Sequence, residues 1–312
     1  MVERRSRLIL VSKIEIQEDK QMRISRSLLL FLGLSLGAVS ASLLAEASPP
    51  VYFNHITIFL SPETYAAILQ SPFLRDEFSA FQEKTVQRDG GAWSYTGIFL
   101  SGQHTYLELF KAGPFPHLGT TIPGQVVFNM WIDDRTLLPV FRDRLAAETG
   151  ATLHIDTGRN AQNKPIYDMV KSEGGPASDF GPGMRVDTEL KGYYPDGITR
   201  EKRLGGYLPA RYLHDVTGFT LTTNEAERHR LIQEFRAYSY DIGAAGGAKQ
   251  IVSGPGITFA FVLTKPGAPR RLVVDFSMNN TRTTEQTYQF TDAAQLRIQG
   301  STAQWVFTFP SD

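Results

Sequence analysis

The sequence predicts an α+β fold with mainly antiparallel sheets, in which strand–helix–strand–strand–strand (βαβββ) units recur. Short runs of alternating apolar and polar residues, the pattern of half-buried strands, are spread along the whole chain. Helix-like runs with clear start signals stand between some of these strands. The order strand, helix, strands then repeats further along the chain, which favours stacked copies of one unit with helices on one sheet face.

The first unit runs from Phe53 to Phe110. An alternating run predicts a strand over Val51–Leu60, and Ser61 followed by proline is a helix start. The helical pattern is expected to continue, after an interruption, through Phe73–Glu83. Two alternating runs, Ser94–Leu100 and Thr105–Phe110, close the unit as strands.

Two further units are expected. In the second, a strand over Gln125–Asp133 precedes a helix that begins at Asp134 or Thr136 and ends at Gly150. Its strands are Ala151–Thr157, Ile166–Ser172 and Arg185–Lys191. In the third, a strand over Tyr212–Leu221 precedes a helix over Asn224–Ala237 with a predicted Asn224–Glu227 capping box, and short antiparallel strands close the chain. The predicted domains are residues 48–204, with the paired units, and 205–312, with the third.

The first 47 residues are interpreted as an N-terminal extension and a secretory signal. Met22 begins a segment with two arginines, an apolar run from Leu28 to Val39 and a small-residue cleavage site at 45–47. Cleavage after Ala47 predicts a secreted or periplasmic protein with no stable membrane insertion. The alternative is an uncleaved membrane anchor over Leu28–Leu44.

Composition excludes several classes of protein. The chain has 312 residues, 32 Lys and Arg against 32 Asp and Glu, and no cysteine. Disulfides, thiolate metal sites and a cysteine nucleophile are therefore excluded. Balanced charge gives no indication of a nucleic-acid partner. The motifs of serine hydrolases, P-loop nucleotide enzymes, dinucleotide-binding folds and HExxH metalloproteases are absent from the sequence.

Alternation places a set of aromatic and polar side chains on one face of the first unit's sheet. Successive strand residues point to opposite faces, so aliphatic residues take one face and the other carries the predicted pocket. Its expected substrate-binding residues are Phe53, Phe99, His104 and Tyr106. His104 lies beside the Gly102 turn, so an exposed edge histidine is the competing interpretation.

The runs NHITIFL, with His55, and TYLELF, with Glu108, resemble the vicinal oxygen chelate superfamily, which includes glyoxalases, bleomycin-resistance proteins and extradiol dioxygenases. The resemblance implies a glyoxalase-like fold and a divalent metal (Zn, Ni, Fe or Mn) held by His55, Glu108 and Glu189. It also implies that Glu108 acts as a catalytic base. The second unit departs from the pattern, because its first strand, QVVFNMWID, has no histidine. The alternative is that His55 and Glu108 only hydrogen-bond each other in a polar pocket.

Two functions are compatible with these observations. One is an exported, metal-dependent lyase, isomerase or dioxygenase that acts on a small substrate with adjacent oxygens. The other is a non-catalytic small-ligand-binding or structural envelope protein that keeps the fold without the metal. Units of this kind pair within or between chains, so an oligomer is compatible with both.

Overall fold

Two large sheets, one two-stranded ribbon and three α-helices make up most of the chain that the structure describes. The computed structural model describes residues 50–311 apart from 117, 173–184, 196–201, 203–204 and 245. The proposed signal and its cleavage site lie outside the described residues. Residues 47–312 form one compact unit.

The first sheet has eight strands in the spatial order β2-β3-β4-β1-β7-β10-β9-β8. These strands are β1 (Tyr52–Leu60), β2 (Ala80–Arg88), β3 (Trp93–Ser101), β4 (Tyr106–Lys111), β7 (Val126–Ile132), β8 (Leu153–Arg159), β9 (Pro165–Ser172) and β10 (Val186–Tyr193). Between β4 and β7, the short strands β5 (Gly113–Phe115) and β6 (Gly119–Thr121) pair with each other.

The second sheet has six strands in the order β12-β13-β14-β11-β15-β16. They are β11 (Leu213–Thr223), β12 (Asp241–Ile242), β13 (Lys249–Gly254), β14 (Ile257–Leu263), β15 (Arg270–Thr291) and β16 (Ala294–Phe309). Within the described ranges only β1–β4, β7–β10 and β11–β14 pair in parallel. The predicted α+β class with mainly antiparallel sheets is confirmed. The last described strand of the first sheet ends at Tyr193, and the first strand of the second sheet begins at Leu213. The domain boundary between residues 204 and 205 stays a prediction.

Two of the three helices begin where the sequence predicts, and the other begins after a 3-10 turn. In α1 (Pro62–Leu69) the Ser61 hydroxyl accepts from the Thr64 amide at 3.2 Å. The helix α2 (Leu138–Thr149) follows a short 3-10 turn capped by Asp134 and ends at Gly150, whose φ of 72° suits glycine. The capping box of α3 (Glu225–Ala237) is present, with Asn224 as its first member. The predicted starts of α1 and α3 and the predicted end of α2 at Gly150 are confirmed. The start of α2 at Leu138 is later than the predicted Asp134 or Thr136, because a 3-10 turn takes the first residues.

Two elements differ from the sequence-based expectation. The helical pattern expected through Phe73–Glu83 ends in a single π-helical turn, Leu74–Phe78, and β2 follows. Most residues in the middle of β2 are exposed, because this strand forms an edge of the sheet, so the apolar alternation that identifies strands is weak there. The closing strands form one long hairpin of β15 and β16 instead of several short strands.

The core lies between the two sheets. Aliphatic and aromatic residues of one face of the first sheet pack against the second, with ring centroids 5.1 Å apart for Phe53 and Phe219 and 5.1 Å apart for Phe128 and Phe259. The helix α2 packs beside α3, and α1 packs beside β15. Each fully buried side chain of this kind contributes about 1.5–3 kcal/mol. Because one face of the first sheet is buried in this core, a pocket on this sheet can form only on the opposite face.

Candidate functional site

Polar side chains cross the centre of the first sheet on the face that points away from the core. They come from four adjacent strands, β4, β1, β7 and β10. Thr57 lies opposite Glu108, and Asn129 lies opposite both His55 and Glu189. We call this set the polar floor: His55, Thr57, Glu108, Asn129, Glu189 and Lys191. Alternation along the strands places all six on one face.

A directed series of hydrogen bonds joins the floor. The Lys191 Nζ donates to Asn129 Oδ1 at 2.6 Å, and Asn129 Nδ2 donates to Thr57 Oγ1 at 3.2 Å. The Thr57 hydroxyl then donates to Glu108 Oε2 at 3.2 Å. Since every bond runs in the same direction, each one polarises the next. The series has its positive end at Lys191 and its negative end at Glu108.

Lys191 is the cation of the floor. Its Nζ lies 2.6 Å from Glu189 Oε2, and its side chain is 11% exposed. Burial alone lowers the pKa of Lys191. The charge of the Glu189 carboxylate, the nearby Tyr167 and Tyr193 and the hydrogen bond to Glu189 act in the opposite direction. Together they raise the pKa of Lys191 above the usual lysine value. The ammonium therefore stays protonated at neutral pH.

His55 and Glu108 meet at the other end of the floor. The His55 Nε2 lies 3.4 Å from Glu108 Oε2, and both residues are buried. The imidazole is stacked on the Tyr106 ring with centroids 4.3 Å apart. This stacking holds the ring plane in place, so Nε2 stays directed at the carboxylate. The contact has the geometry of the simpler alternative, in which the two side chains pair within a polar pocket.

The floor lies under a cavity of about 210 Å³. One wall is aromatic and consists of Phe59, Trp93, Tyr95, Phe110 and Phe115. The opposite wall comes from β8 and β9 and is more polar, with Arg159, Tyr167 and Lys171. Arg88 and Asp89, at the end of β2, complete the lining. The cavity therefore combines an apolar side with several charged groups.

A second cavity of about 200 Å³ lies beside the first and shares Arg88, Tyr95 and Glu108 with it. Two predicted substrate-binding residues, Phe99 and Tyr106, line this second cavity and not the first. Lys84 lies over the Phe99 ring at 4.2 Å.

Two other predicted substrate-binding residues lie away from both cavities. Phe53 is in the core, in contact with Phe219 and Phe259, because a β-bulge between Phe53 and His55 shifts the register of β1 against β7. His104 has a side chain 55% exposed, and its Nδ1 lies 2.8 Å from Asp215 Oδ2 in the second sheet. It is an exposed histidine at the strand edge, as the competing interpretation expected.

The residues present do not fit the expected metal. In the described part of the chain, no three His, Cys, Asp or Glu side chains are grouped so that they could hold a metal ion. His55 and Glu108 lie together, but the Glu189 carboxylate is engaged by the Lys191 ammonium. A stable divalent site usually needs three or four ligands, and a cationic side chain among them opposes a second cation. The predicted set of His55, Glu108 and Glu189 is thus not assembled.

Sequence analysis missed Thr57, Asn129 and Lys191 as parts of the floor. One signal was available: Asn129 is a polar residue inside the apolar strand run VVFNMWI, where an unpaired amide is costly. Its partner Lys191 could not be identified, because the parallel pairing of β7 with β10 brings together residues that lie 62 positions apart.

A family model described as "Family of unknown function (DUF5829)" matches residues 53–307. The chain belongs to this family. No curated protein matches the sequence.

The solved structures that resemble the chain include the following three. A hypothetical protein from Staphylococcus aureus has a TM-score of 0.48 at 9% identity, covering 80% of this chain and 99% of that one. A mutant of 4-hydroxymandelate synthase from Streptomyces coelicolor has a TM-score of 0.40 at 15% identity, covering 69% and 63%. A fusion of a xylose isomerase-like TIM barrel with 4-hydroxyphenylpyruvate dioxygenase has a TM-score of 0.40 at 7% identity, covering 70% and 33%. With TM-scores below 0.5, these likenesses carry no conclusion about function.

Among the residues described, no helix has the length and apolar character needed to cross a membrane.

Proposed function

We propose that this protein binds a small molecule in the cavity above the polar floor, and that it does so without a divalent metal. One observation carries the proposal: a row of six polar side chains, four of them joined in a hydrogen-bond series, lies beneath a cavity of about 210 Å³ with an aromatic wall. A concave site with an apolar lining and a few convergent polar groups is the usual form of a small-molecule site. This is the second of the two functions compatible with the sequence.

The course of the chain supports a vicinal oxygen chelate-type fold for the proposed binder. The elements β1-α1-β2-β3-β4 and β7-α2-β8-β9-β10 follow one order, and in the sheet they lie side by side with β1 next to β7. The stretch β11-α3-β12-β13-β14 has the same order in the second sheet. We infer that these are three βαβββ units, the first two of which are paired around the pocket.

Lys191 is the reason for a metal-free proposal. Its ammonium lies 2.6 Å from both Glu189 Oε2 and Asn129 Oδ1, so these oxygens already have a cation. A protonated lysine cannot be a metal ligand, and it repels a divalent ion by several kcal/mol at short range. The floor instead offers hydrogen-bond donors and acceptors to a ligand's oxygen or nitrogen atoms.

The cavity restricts the ligand to a small molecule. The cavity has a volume of about 210 Å³. Pockets for drug-sized ligands begin at about 300 Å³. The proposed ligand is therefore a compact metabolite or part of a larger molecule that continues into the neighbouring cavity.

Export remains part of the proposal. The basic residues, apolar run and small-residue site before Ser48 support a secretory signal. Secretion or transport to the periplasm would place the pocket outside the cytoplasm. Mass spectrometry of the mature N-terminus tests this: a start at Ser48 agrees with it, and retention of residues 22–47 contradicts it.

A pocket-filling variant tests the binding proposal. Val127 lies in the cavity lining, so Val127→Phe places a ring in the cavity, whereas Val140→Phe makes the same change at an exposed position. In a small-molecule screen by ligand-observed NMR and thermal shift, wild type and Val140→Phe are expected to share hits that Val127→Phe loses. Circular dichroism checks that both variants fold. The proposal is contradicted by an absence of hits in wild type, or by hits that a folded Val127→Phe retains.

A further inference from the structure

A buried arginine lies at the junction of the two cavities. Arg88 is the last residue of β2 and is 6% exposed. Its side chain lines both the cavity above the polar floor and the neighbouring one. A guanidinium is permanently charged, so burial at this position requires compensation from its surroundings.

The groups around Arg88 compensate its charge only in part. The Nη2 donates to the Tyr95 hydroxyl at 3.0 Å. The guanidinium carbon lies 5.8 Å from the Tyr95 ring centre and 6.0 Å from that of Tyr167, at the outer limit of cation–π attraction. One neutral hydrogen bond and two distant rings leave most of the five N–H donors of a guanidinium available.

The four carboxylates that line the main cavity are engaged elsewhere. Glu189 pairs with Lys191 at 2.6 Å, and Asp156 pairs with Lys171 at 2.9 Å. Glu108 accepts from Thr57 and faces His55. The fourth, Asp89, is the chain neighbour of Arg88.

Asp89 is turned towards other donors. Its Oδ2 accepts from the Trp93 indole N–H at 2.5 Å, and its Oδ1 accepts from the Arg159 backbone amide at 3.3 Å. No described carboxylate forms an ion pair with Arg88. The second guanidinium of the lining, that of Arg159, donates to the Asn163 carbonyl oxygen at 3.0 Å and likewise has no ion-pair partner within the described ranges.

We propose that Arg88 binds the anionic oxygen group of the ligand, and that this ligand is a small carboxylate with an aromatic or apolar body. The inference rests on the proposed small-molecule function and adds the chemical class of the ligand. A carboxylate matches the planar N–H pairs of a guanidinium and would supply the ion-pair partner that Arg88 lacks among the described residues. The apolar body would lie against the aromatic wall formed by Phe59, Phe110 and Phe115.

Matched acids and amides provide the test, because they share shape and differ in charge. The probes are benzoate with benzamide and phenylacetate with phenylacetamide, measured by calorimetry on the full-chain protein, with inorganic phosphate as a separate anion. Each acid is expected to bind wild type about 10-fold to about 100-fold more tightly than its amide. The Arg88→Gln variant should lose this preference, and Arg88→Lys should keep part of it. The control Arg142→Gln, on α2 and outside the lining of both cavities, should keep all of it.

A measurement on wild type alone covers the case in which the Arg88 variants do not fold. Side-chain NMR of 15N-labelled arginine should show a shifted Nε signal on addition of the acids and not on addition of the amides. Equal binding of acids and amides, unchanged in Arg88→Gln, overturns the role of Arg88 but leaves the binding function intact. Tighter binding of phosphate than of both acids overturns the carboxylate class. An absence of binding by all probes and by the wider screen overturns the proposed function as well.

Discussion

Replacing Lys191 with methionine tests how the polar floor is held together. Lys191→Met keeps the length of the side chain and removes its charge, which leaves Glu189 without its counterion and Asn129 Oδ1 without its donor. Breaking a buried ion pair costs about 3–5 kcal/mol. The Glu189 side chain is 29% exposed, so water replaces part of the loss and reduces that contribution to about 2 kcal/mol. The lost hydrogen bond at Asn129 adds about 1 kcal/mol.

We therefore expect Lys191→Met to lower the free energy of unfolding by about 3 kcal/mol, which corresponds to a fall in Tm of about 6–12 °C for a chain of this size. Urea denaturation followed by circular dichroism measures the change. The control is Lys164→Met at an exposed position, which should remain within about 0.5 kcal/mol of wild type.

The double variant Lys191→Met with Glu189→Gln sharpens the test. Because it removes both charges, it should be about 1–2 kcal/mol more stable than the sum of the two single variants predicts. Strict additivity, or a cost of Lys191→Met no larger than that of Lys164→Met, would refute the assignment of Lys191 as the cation of the floor.

Three further predictions concern stability outside the pocket. Asn224→Ala removes the cap whose oxygen accepts from the Glu227 amide at 2.9 Å, and should cost about 0.5–2 kcal/mol in urea denaturation; no change would argue against the capping box. Arg270→Met removes the guanidinium whose nitrogens lie 2.9 Å from the two carboxylate oxygens of the fully buried Glu227. Because Glu227 then has lost its charged partner, the variant should cost about 3–5 kcal/mol, and a variant as stable as wild type would contradict this. Burial and the neighbouring Glu83 raise the pKa of Tyr65 to about 12. Because the folded state favours the neutral phenol of Tyr65, the raised pKa stabilises the folded protein below about pH 10. This stabilisation is lost as the pH rises through about 12. In an ultraviolet titration, Tyr65→Phe should lack, relative to wild type, the ionisation of one tyrosine in the phase near pH 12. If the two proteins differ only in the phase near pH 10, the raised pKa is refuted.

The sequence predicts those features of the fold that depend on neighbours in the chain. Helix starts at Ser61 and Asn224, and the helix end at Gly150, depend on local hydrogen bonds and local backbone conformation. The alternation of side chains within β1 and within β4 also depends only on local geometry. Once these strands pair, His55 and Glu108 lie 3.4 Å apart.

Features that depend on the pairing of distant strands escaped sequence analysis. The bulge that turns Phe53 into the core appears only when β1 is paired with β7. Lys191 reaches Asn129 because β10 lies beside β7, and nothing local indicates that contact. Arg88 was not identified from the sequence, since the exposed edge strand β2 lacks the alternation that would identify it. The unanticipated residues are thus those that change the interpretation from a metal site to a charged pocket.

In our proposal the pocket binds its ligand through its own side chains, without a divalent metal. The most direct measurement is the dissociation constant of the best ligand from the screen, determined on chelator-treated protein and again after loading with Zn, Ni, Fe or Mn. We expect the same constant, within error, in every case, and the same low metal content before and after attempted loading. Binding that appears only with a stoichiometric metal, and that disappears together with the metal in His55→Ala, would contradict it.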